Sequence, residues 1–436
     1  MLNISNLAKK NIPEANFKLI EKVGAISTEE GFNSYLVGGL VRDILIEKLK
    51  DIDIDIVTET YAPKLAKIVA YELRGELIVH EKYGTAKVKL PTTTIDFTTA
   101  RTEIYEYPAS NPKVSFSSIK EDLFRRDFTI NAMAISINNN TFGELLDLYD
   151  GYKDIKEKKL KILHDKSFID DPNRIFRAIR FKSKLSFEID KYTRDLAIKT
   201  MNLGIFDYFI NDRIKNEIKI SFTNEYNAKD NIKELYDLNS LKFFNTNIDI
   251  DFLFEKLDLL ERNIFLIEEY IKIKLNQYIL YLALLIHNKE DFYQNNINNT
   301  QKKHQRIKLI ESFRFEVDEL KFFREILTIN ELYLKIKEDI SNYDLYKLLN
   351  KLNYETLVYF ITIYNENTIK EKILLYLNKL KDIKIKLNGN DLINLGFKKG
   401  KDLGLILEEL KKYKLNNDIS DQDEISFVSK FIPTSL

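Results

Sequence analysis

The stretch "DIDIDIV" (51–57) places Asp51, Asp53 and Asp55 on alternate positions. In a β-strand, side chains two apart share a face, so the carboxylates would line one face and Ile52, Ile54 and Ile56 the other. Neighbouring like charges repel and aspartate is a poor strand former, so the pattern asks for a cation. Two carboxylates at this spacing suit a hard divalent ion such as Mg²⁺, which takes one or two of them together with substrate phosphates. Ions held this way can stabilise the attacking and leaving oxygens of a phosphoryl transfer. The period alone does not choose which two of the three aspartates serve. Just upstream, "YLVGGLVRD" runs an apolar strand into Gly38-Gly39 and then a helix from about Leu40. Glycines there let the backbone approach a ligand, and a helix N-terminus offers free N–H groups to anions. Arg42 adds a bidentate phosphate donor, and Asp43 fits a bracing role at the turn.

A second group lies further along. In "DDPNRIFRAIRF" (170–181), Asp170 or Asp171 is expected to cap a helix with Pro172 in its first turn. Arg174, Arg177 and Arg180 then form one stripe, with Ile175, Ala178, Ile179 and Phe181 facing a core. Such a stripe is an electrostatic site for triphosphate or RNA. In "RRDFTINAMA" (125–134), Arg125, Arg126, Asp127 and Asn131 lead into an apolar run. If that segment is helical, Asp127 and Asn131, four apart, share a face. His80, His164, His287 and His304 are scattered without supporting metal ligands, and none is assigned catalysis.

These groups must be held by two kinds of structure. Residues 30–145 contain short apolar strands, "SYLVGG", "DIDIDIV" and "GELIVH", and "GTAKVKLPTTTIDFTTA" alternates around a Pro-Thr turn as a hairpin does. Residues 155–380 have few glycines and apolar residues at three- and four-residue spacing, the texture of a helical array. "YQNNINNTQKKHQ" (293–305) reads as a polar loop, and "LNGNDLINLGFKKGKDLG" as a short helical module with tight turns. The chain is thus a small α/β unit followed by a long all-α body. Its 436 residues are ample for several domains. With 67 basic and 67 acidic residues, any nucleic-acid surface must be a local patch. The absence of cysteine excludes disulfides, thiolate metal sites and cysteine nucleophiles. No run approaches the ~18–20 apolar residues of a membrane span, and the polar start lacks a signal peptide's apolar core. A cytoplasmic protein is expected.

"GGLVRDILIEKLKDIDIDIVTE", "RRDFTINAMA", "DDPNRIFRAIRF" and "NGNDLINLGFKKGKDLGLILEELKKYKLNND", in that order, resemble the motifs of class II tRNA nucleotidyltransferases and bacterial poly(A) polymerases. These belong to the DNA polymerase β superfamily. The resemblance spans roughly residues 15–215 and 385–420. It implies a nucleotidyltransferase head at 1–148, a helical neck at 149–215, a helical body at 216–380 and a tRNA-binding tail at 381–436. It implies template-independent addition of C and/or A, from CTP and ATP, to the tRNA 3′ end. The family pattern favours Asp53 and Asp55 as the catalytic, Mg²⁺-holding pair, because it sets the pair directly before a stretch like "VTE"; the other register, Asp51 with Asp53, is the alternative, and Asp53 belongs to both. Some superfamily members carry a third carboxylate, which Asp96 would supply; otherwise Asp96 supports Arg101 or a turn. Gly38, Gly39 and Arg42 would hold triphosphate, assisted by Arg177 and Arg180. Arg126, Asp127 and Asn131 lie in the motif that recognises the ribose 2′-hydroxyl. Asp171 and Arg174 would read the Watson–Crick edge of the incoming base, with Asp170 where the family's commonest residue is a glutamate that braces the arginine. Lys113 and residues 106–114 fall where the family has a flexible loop. Alternatives within the class are an A-adding or CC-adding partial enzyme and a poly(A) polymerase; from another class, a non-catalytic RNA-binding protein with a degenerate head. Oligomeric state is not read from the sequence.

Overall fold

The computed structural model describes residues 2–49, 52–108, 110, 112–204, 212–223, 226–244, 248–287, 310–311, 313–417 and 421–431. Asp51, His304 and the 293–305 loop lie outside the described residues. The chain divides into two units, one of Met1–Ser221 with Glu225–Ser240 and one of Phe222–Asn224 with Leu241–Leu436.

The first unit is built on strands β1 (Ser34–Val37), β2 (Ile54–Thr58), β3 (Glu76–His80), β4 (Thr85–Lys89), β5 (Thr94–Thr99), β6 (Arg101–Ile104), β7 (Lys113–Phe116), β8 (Met133–Ser136) and β9 (Leu145–Asp147). Seven of them form one mixed sheet in the order β3-β4-β5-β2-β1-β8-β9, while β6 and β7 make a separate antiparallel hairpin. Within the large sheet β2 and β5 pair in parallel, with Asp55 beside Asp96. β4 and β5 form the expected hairpin, with Lys87 beside Asp96. Alternation sorts the faces. Ile54 and Ile56 of β2, and Ile95 and Phe97 of β5, are buried on one face. Asp55, Asp96 and Lys87 therefore form a row across three strands on the other face.

Helices α1 (Ser5–Asn11), α2 (Glu14–Glu29), α3 (Gly39–Leu45), α4 (Ala62–Leu73), α5 (Ile119–Phe124) and α6 (Gly151–Lys156) frame this sheet. Of these, α4 packs on β3, β4 and β5, burying Leu65, Ala66 and Val69. Four more helices, α7 (Ser167–Asp170), α8 (Asn173–Leu185), α9 (Lys191–Asn202) and α10 (Asp212–Ser221), complete the site side of the unit. Between α7 and α8 the Asp-Asp-Pro sequence breaks the helix, because proline forces its predecessor away from the α region. Asp171 accordingly sits at φ −135°, ψ 88°, and Pro172 starts the next helix. Neither aspartate caps α8 through its side chain, which corrects that expectation.

The second unit is helical among its described residues. Its helix Ile250–Ile271 packs against Tyr354–Tyr364, and Gln277–Ile286 buries every residue from Tyr278 onward. At its C-terminal end Leu392, Phe397, Leu410 and Val428 form a small core of their own. The carboxylate of Glu424, fully buried, accepts from the backbone N–H of Lys386 and Leu387 and pairs with Lys414. Glu424→Gln is expected to weaken this module by about 1.5–3 kcal/mol, the worth of a charge-assisted hydrogen bond. Faster protease cleavage confined to the module would show it; unchanged cleavage would refute it.

Candidate active site

Gly38 follows β1 and adopts φ 75°, ψ −139°, a conformation open to glycine. A Cβ at this position would lie 3.3 Å from Nη1 of Arg126 and 3.8 Å from Oδ2 of Asp55. Bare backbone at Gly38 thus brings the start of α3, the β2 carboxylate and the Arg126 guanidinium together. They open into a cavity of about 600 Å³, lined also by Gly39, Arg42, Asp127, Asn131, Asp171 and the arginines of α8. Nine basic and four acidic side chains line it, a net +5 in a chain whose overall charge is zero.

A continuous set of ion pairs and hydrogen bonds runs along one wall. Arg42, 3% exposed, pairs with Asp43 at 2.8 Å and donates from Nη1 to Oδ1 of Asn131 at 2.7 Å. Asn131 donates to Oδ1 of Asp127 at 3.0 Å. Oδ2 of Asp127 accepts from Nε and Nη2 of Arg177 at 2.8 and 2.6 Å. Arg177 reaches Glu217 on α10 at 3.1 Å, and Arg180 reaches the same carboxylate at 2.5 Å. The guanidiniums of Arg42, Arg177 and Arg180 all lie over the buried ring of Phe181, at 5.2, 5.3 and 4.5 Å from its centroid. Burial opposes the charge on Asp127, but Arg177 and Asn131 outweigh it and hold its carboxyl below the usual range. Asp127 and then Glu217 push Arg177 further up against its own burial.

Arg174 donates from Nη1 to Oγ of Ser167 and from Nη2 to the carbonyl of Arg125, both at 2.6 Å. Asp171 pairs with Arg213 and lies 3.9 Å from Nε of Arg174. Arg125 and Arg126 converge on Asp122, fully buried beneath them. At Asp55 burial comes first, then Asp96 and Asp53, in raising the carboxyl to about 6, although Arg126 and Lys87 pull the other way.

Comparisons with known proteins fit this arrangement. A family model described as the poly(A) polymerase head domain matches residues 34–161. A solved CCA-adding enzyme, in an apo form, superposes with a TM-score of 0.82 at 31% identity, covering 98% of this chain and 97% of its own. The chain belongs to the class II tRNA nucleotidyltransferase family. Among curated relatives of this family member, the A-adding tRNA nucleotidyltransferase of Aquifex aeolicus is 35% identical over 88% of the chain. That of Geobacter sulfurreducens is 29% identical over 97%. The chain spans only about half of those relatives, 45% and 47% of their lengths. A Thermotoga maritima CCA-adding enzyme complexed with tRNA matches with a TM-score of 0.79 at 29% identity, covering 99% of each chain.

Within this family member, Gly38, Gly39, Arg42, Asp55, Arg126, Asp127, Asn131, Asp171, Arg174, Arg177 and Arg180 all line the one cavity. Asp53 stands exposed at the entry to β2, close enough to raise Asp55. Three local expectations change. Asp43 grips Arg42 rather than the Gly-Gly turn, so part of that guanidinium is already committed. Asp127 and Asn131 meet through a 3₁₀ turn, Thr129–Asn131, not an α-helix. Arg174 is braced by Ser167 and the Arg125 carbonyl and donates no hydrogen bond to Asp170. Asp96 pairs with Lys87 at 3.1 Å, while Arg101 pairs with Glu103. Lys113, on β7, pairs with Glu106. Sequence reading missed Glu217, Ser167, Asp122 and Glu103. Only Glu217 left a trace, four residues after Arg213 in "DRIKNE".

The carboxylates suit a divalent metal. Asp55, raised by burial and by two neighbouring acids, is a cluster of negative charge facing an open cleft, with oxygen donors of the hard kind. Among the described residues no group of three or more potential ligands surrounds a ready-made metal position. Gly38→Ala is expected to cost about 1–3 kcal/mol of strain and to lower the melting temperature by about 2–12 °C. Calorimetry checks it; an unshifted melt would show that the turn tolerates a side chain.

Proposed function

We propose that the chain is a template-independent tRNA nucleotidyltransferase that adds A, or C and A, from ATP and CTP to the tRNA 3′ end. The observation that carries this reading is that one cavity is lined both by Asp55, Gly38 and Arg126, which lie together, and by Asp171 and Arg174. A triphosphate laid on the arginine wall would put its α-phosphate toward the carboxylates and its base toward Asp171. Asp53 and Asp55 would hold Mg²⁺, which when bound activates a hydroxyl nucleophile and offsets the charge of the leaving pyrophosphate. Arg126, Arg177 and Arg180 neutralise the triphosphate, and the Asp127–Asn131 pair borders the ribose. An acceptor on Asp171 and a donor on Arg174 distinguish bases by leaving a misfit with unpaired buried groups. Residues 1–148 serve as head, 149–215 as neck, 216–380 as body and 381–436 as tail, the helical parts gripping the acceptor and TΨC arm by shape and phosphate. The setting is the cytoplasm, in keeping with the finding that no described helix is long and apolar enough to cross a membrane.

A-addition alone is the narrower reading. It is favoured because the relatives aligned over 88% and 97% of this chain are named A-adding. Transcripts ending before CCA and after CC, each incubated with ATP or CTP singly, separate the cases. A-addition alone predicts one A on the CC-ended transcript and nothing on the shorter one. Unlimited A-tails on any RNA would overturn the tRNA reading.

A further inference from the structure

Across Arg174 from the nucleotide cavity lies a second cavity of about 400 Å³. Arg174, Arg125, Glu103 and Tyr105 line both, so the two share a wall. Asp170 and Asp171 are consecutive, yet Asp171 lines the first cavity and Asp170 the second, because α7 ends and the chain turns extended between them. On the other side Phe124, 40% exposed, meets the ring of His164 at 5.0 Å between centroids and 33° between planes. Burial first, and then Arg174, lower the histidine's pKa and keep its ring neutral at pH 7. A half-exposed aromatic pair of this kind is a stacking platform that accepts any base. The lining has four carboxylates against two arginines and one lysine, which disfavours phosphate and favours an uncharged ring bearing N–H donors.

We infer that this cavity is a nucleobase subsite for the 3′-terminal base of the acceptor RNA, stacked on Phe124 and His164 with its exocyclic amino group donating to Asp170. The inference rests on the reading that the chain extends RNA. The terminal base of the acceptor must lie beside the incoming base, and the shared Arg174 wall provides that adjacency. A free nucleotide would bring its own phosphates against the carboxylates. Cytosine and adenine carry the required amino group and uracil does not, so the subsite checks the end to be extended as well as the nucleotide added.

The test is steady-state extension of an acceptor minihelix with ATP, using the full chain. Phe124→Ala and Asp170→Ala should each raise the KM for a C-ended minihelix about tenfold, 1.4 kcal/mol, the low end for losing one stacked base. The KM for ATP should stay put, and Phe124→Trp and His164→Phe should retain the wild-type KM for RNA. A U-ended minihelix should show the raised KM with the wild type, and Asp170→Ala should treat both ends alike. If the wild type extends RNA but the RNA KM does not move, or moves together with that for ATP, the inference fails and the functional reading stands. Phe124-dependent binding of CMP without an effect on RNA would make the cavity a free-nucleotide site and would also overturn it. A wild type that extends no RNA overturns the functional reading and this subsite with it.

Discussion

Asp55→Asn is expected to slow nucleotide incorporation about 10³-fold, because removing a metal-holding charge forfeits several kcal/mol of transition-state stabilisation at 1.36 kcal/mol per decade. If the chain binds RNA as proposed, that binding should remain within about twofold, because phosphate contacts do not depend on this carboxylate. The same substitution should not weaken the fold. Asp55 ionises near pH 6 in the folded chain against 3.8 ordinarily, since burial, Asp96 and Asp53 oppose its charge. A carboxyl raised in this way costs stability at neutral pH, and the cost fades as the pH falls from about 6 toward 3.8. Asparagine carries no such penalty, so the metal-free variant should melt at or above the wild-type temperature at pH 7. Loss of activity accompanied by a lower melting temperature would mean that Asp55 is structural. Unchanged turnover would remove it from the reaction.

Asp127→Asn should have the largest effect on stability. Its carboxylate, mostly buried, joins Arg177, Asn131 and the backbone N–H of Phe128. Neutralising it leaves a mostly buried guanidinium short of a partner, which costs about 3–5 kcal/mol. For the N-terminal unit this is a fall of about 6–20 °C in melting temperature. Nucleotide affinity should fall too, since Arg177 and Asn131 lose their common anchor. The sign of the pH dependence follows from the lowered carboxyl. Its stabilisation is present in full above the ordinary value of 3.8 and drains away as the pH drops through the depressed folded value. The gap between wild type and variant should therefore be wide at pH 7 and narrow in acid. A gap that stays constant down to pH 2 would assign the loss to packing instead of charge.

The legible parts of this chain were those in which a period meets a chemistry. Alternating aspartates, arginines three apart and a paired glycine each need only a local geometry, and Asp55, the three arginines and both glycines line the cavity. The β4–β5 hairpin was readable for the same reason, from alternation around a Pro-Thr turn. What escaped was long-range. Nothing near Glu217 says that it will lie under Arg177 and Arg180, forty and thirty-seven residues earlier. Asp122 was invisible because Arg126, one of its two arginine partners, was already assigned to the nucleotide. The Asp-Asp-Pro break was misread because capping preference was weighed above the restriction that proline places on the residue before it. That choice hid the opposite directions of Asp170 and Asp171.

The ion-pair wall from Asp43 to Glu217 also bears on the thermodynamics of association. Holding an arginine still costs up to about 2 kcal/mol of rotamer entropy, and here folding has already met that cost for Arg42, Arg177 and Arg180. A polyphosphate arriving at this wall therefore meets guanidiniums already fixed in position, though partly engaged by protein carboxylates, and little of its binding free energy is lost to freezing side chains. Mostly buried pairs are also screened less than exposed ones, so the wall should keep its shape in salt that weakens the attraction of the ligand itself. High ionic strength should thus slow capture of the nucleotide far more than it disturbs the pose once the nucleotide is bound.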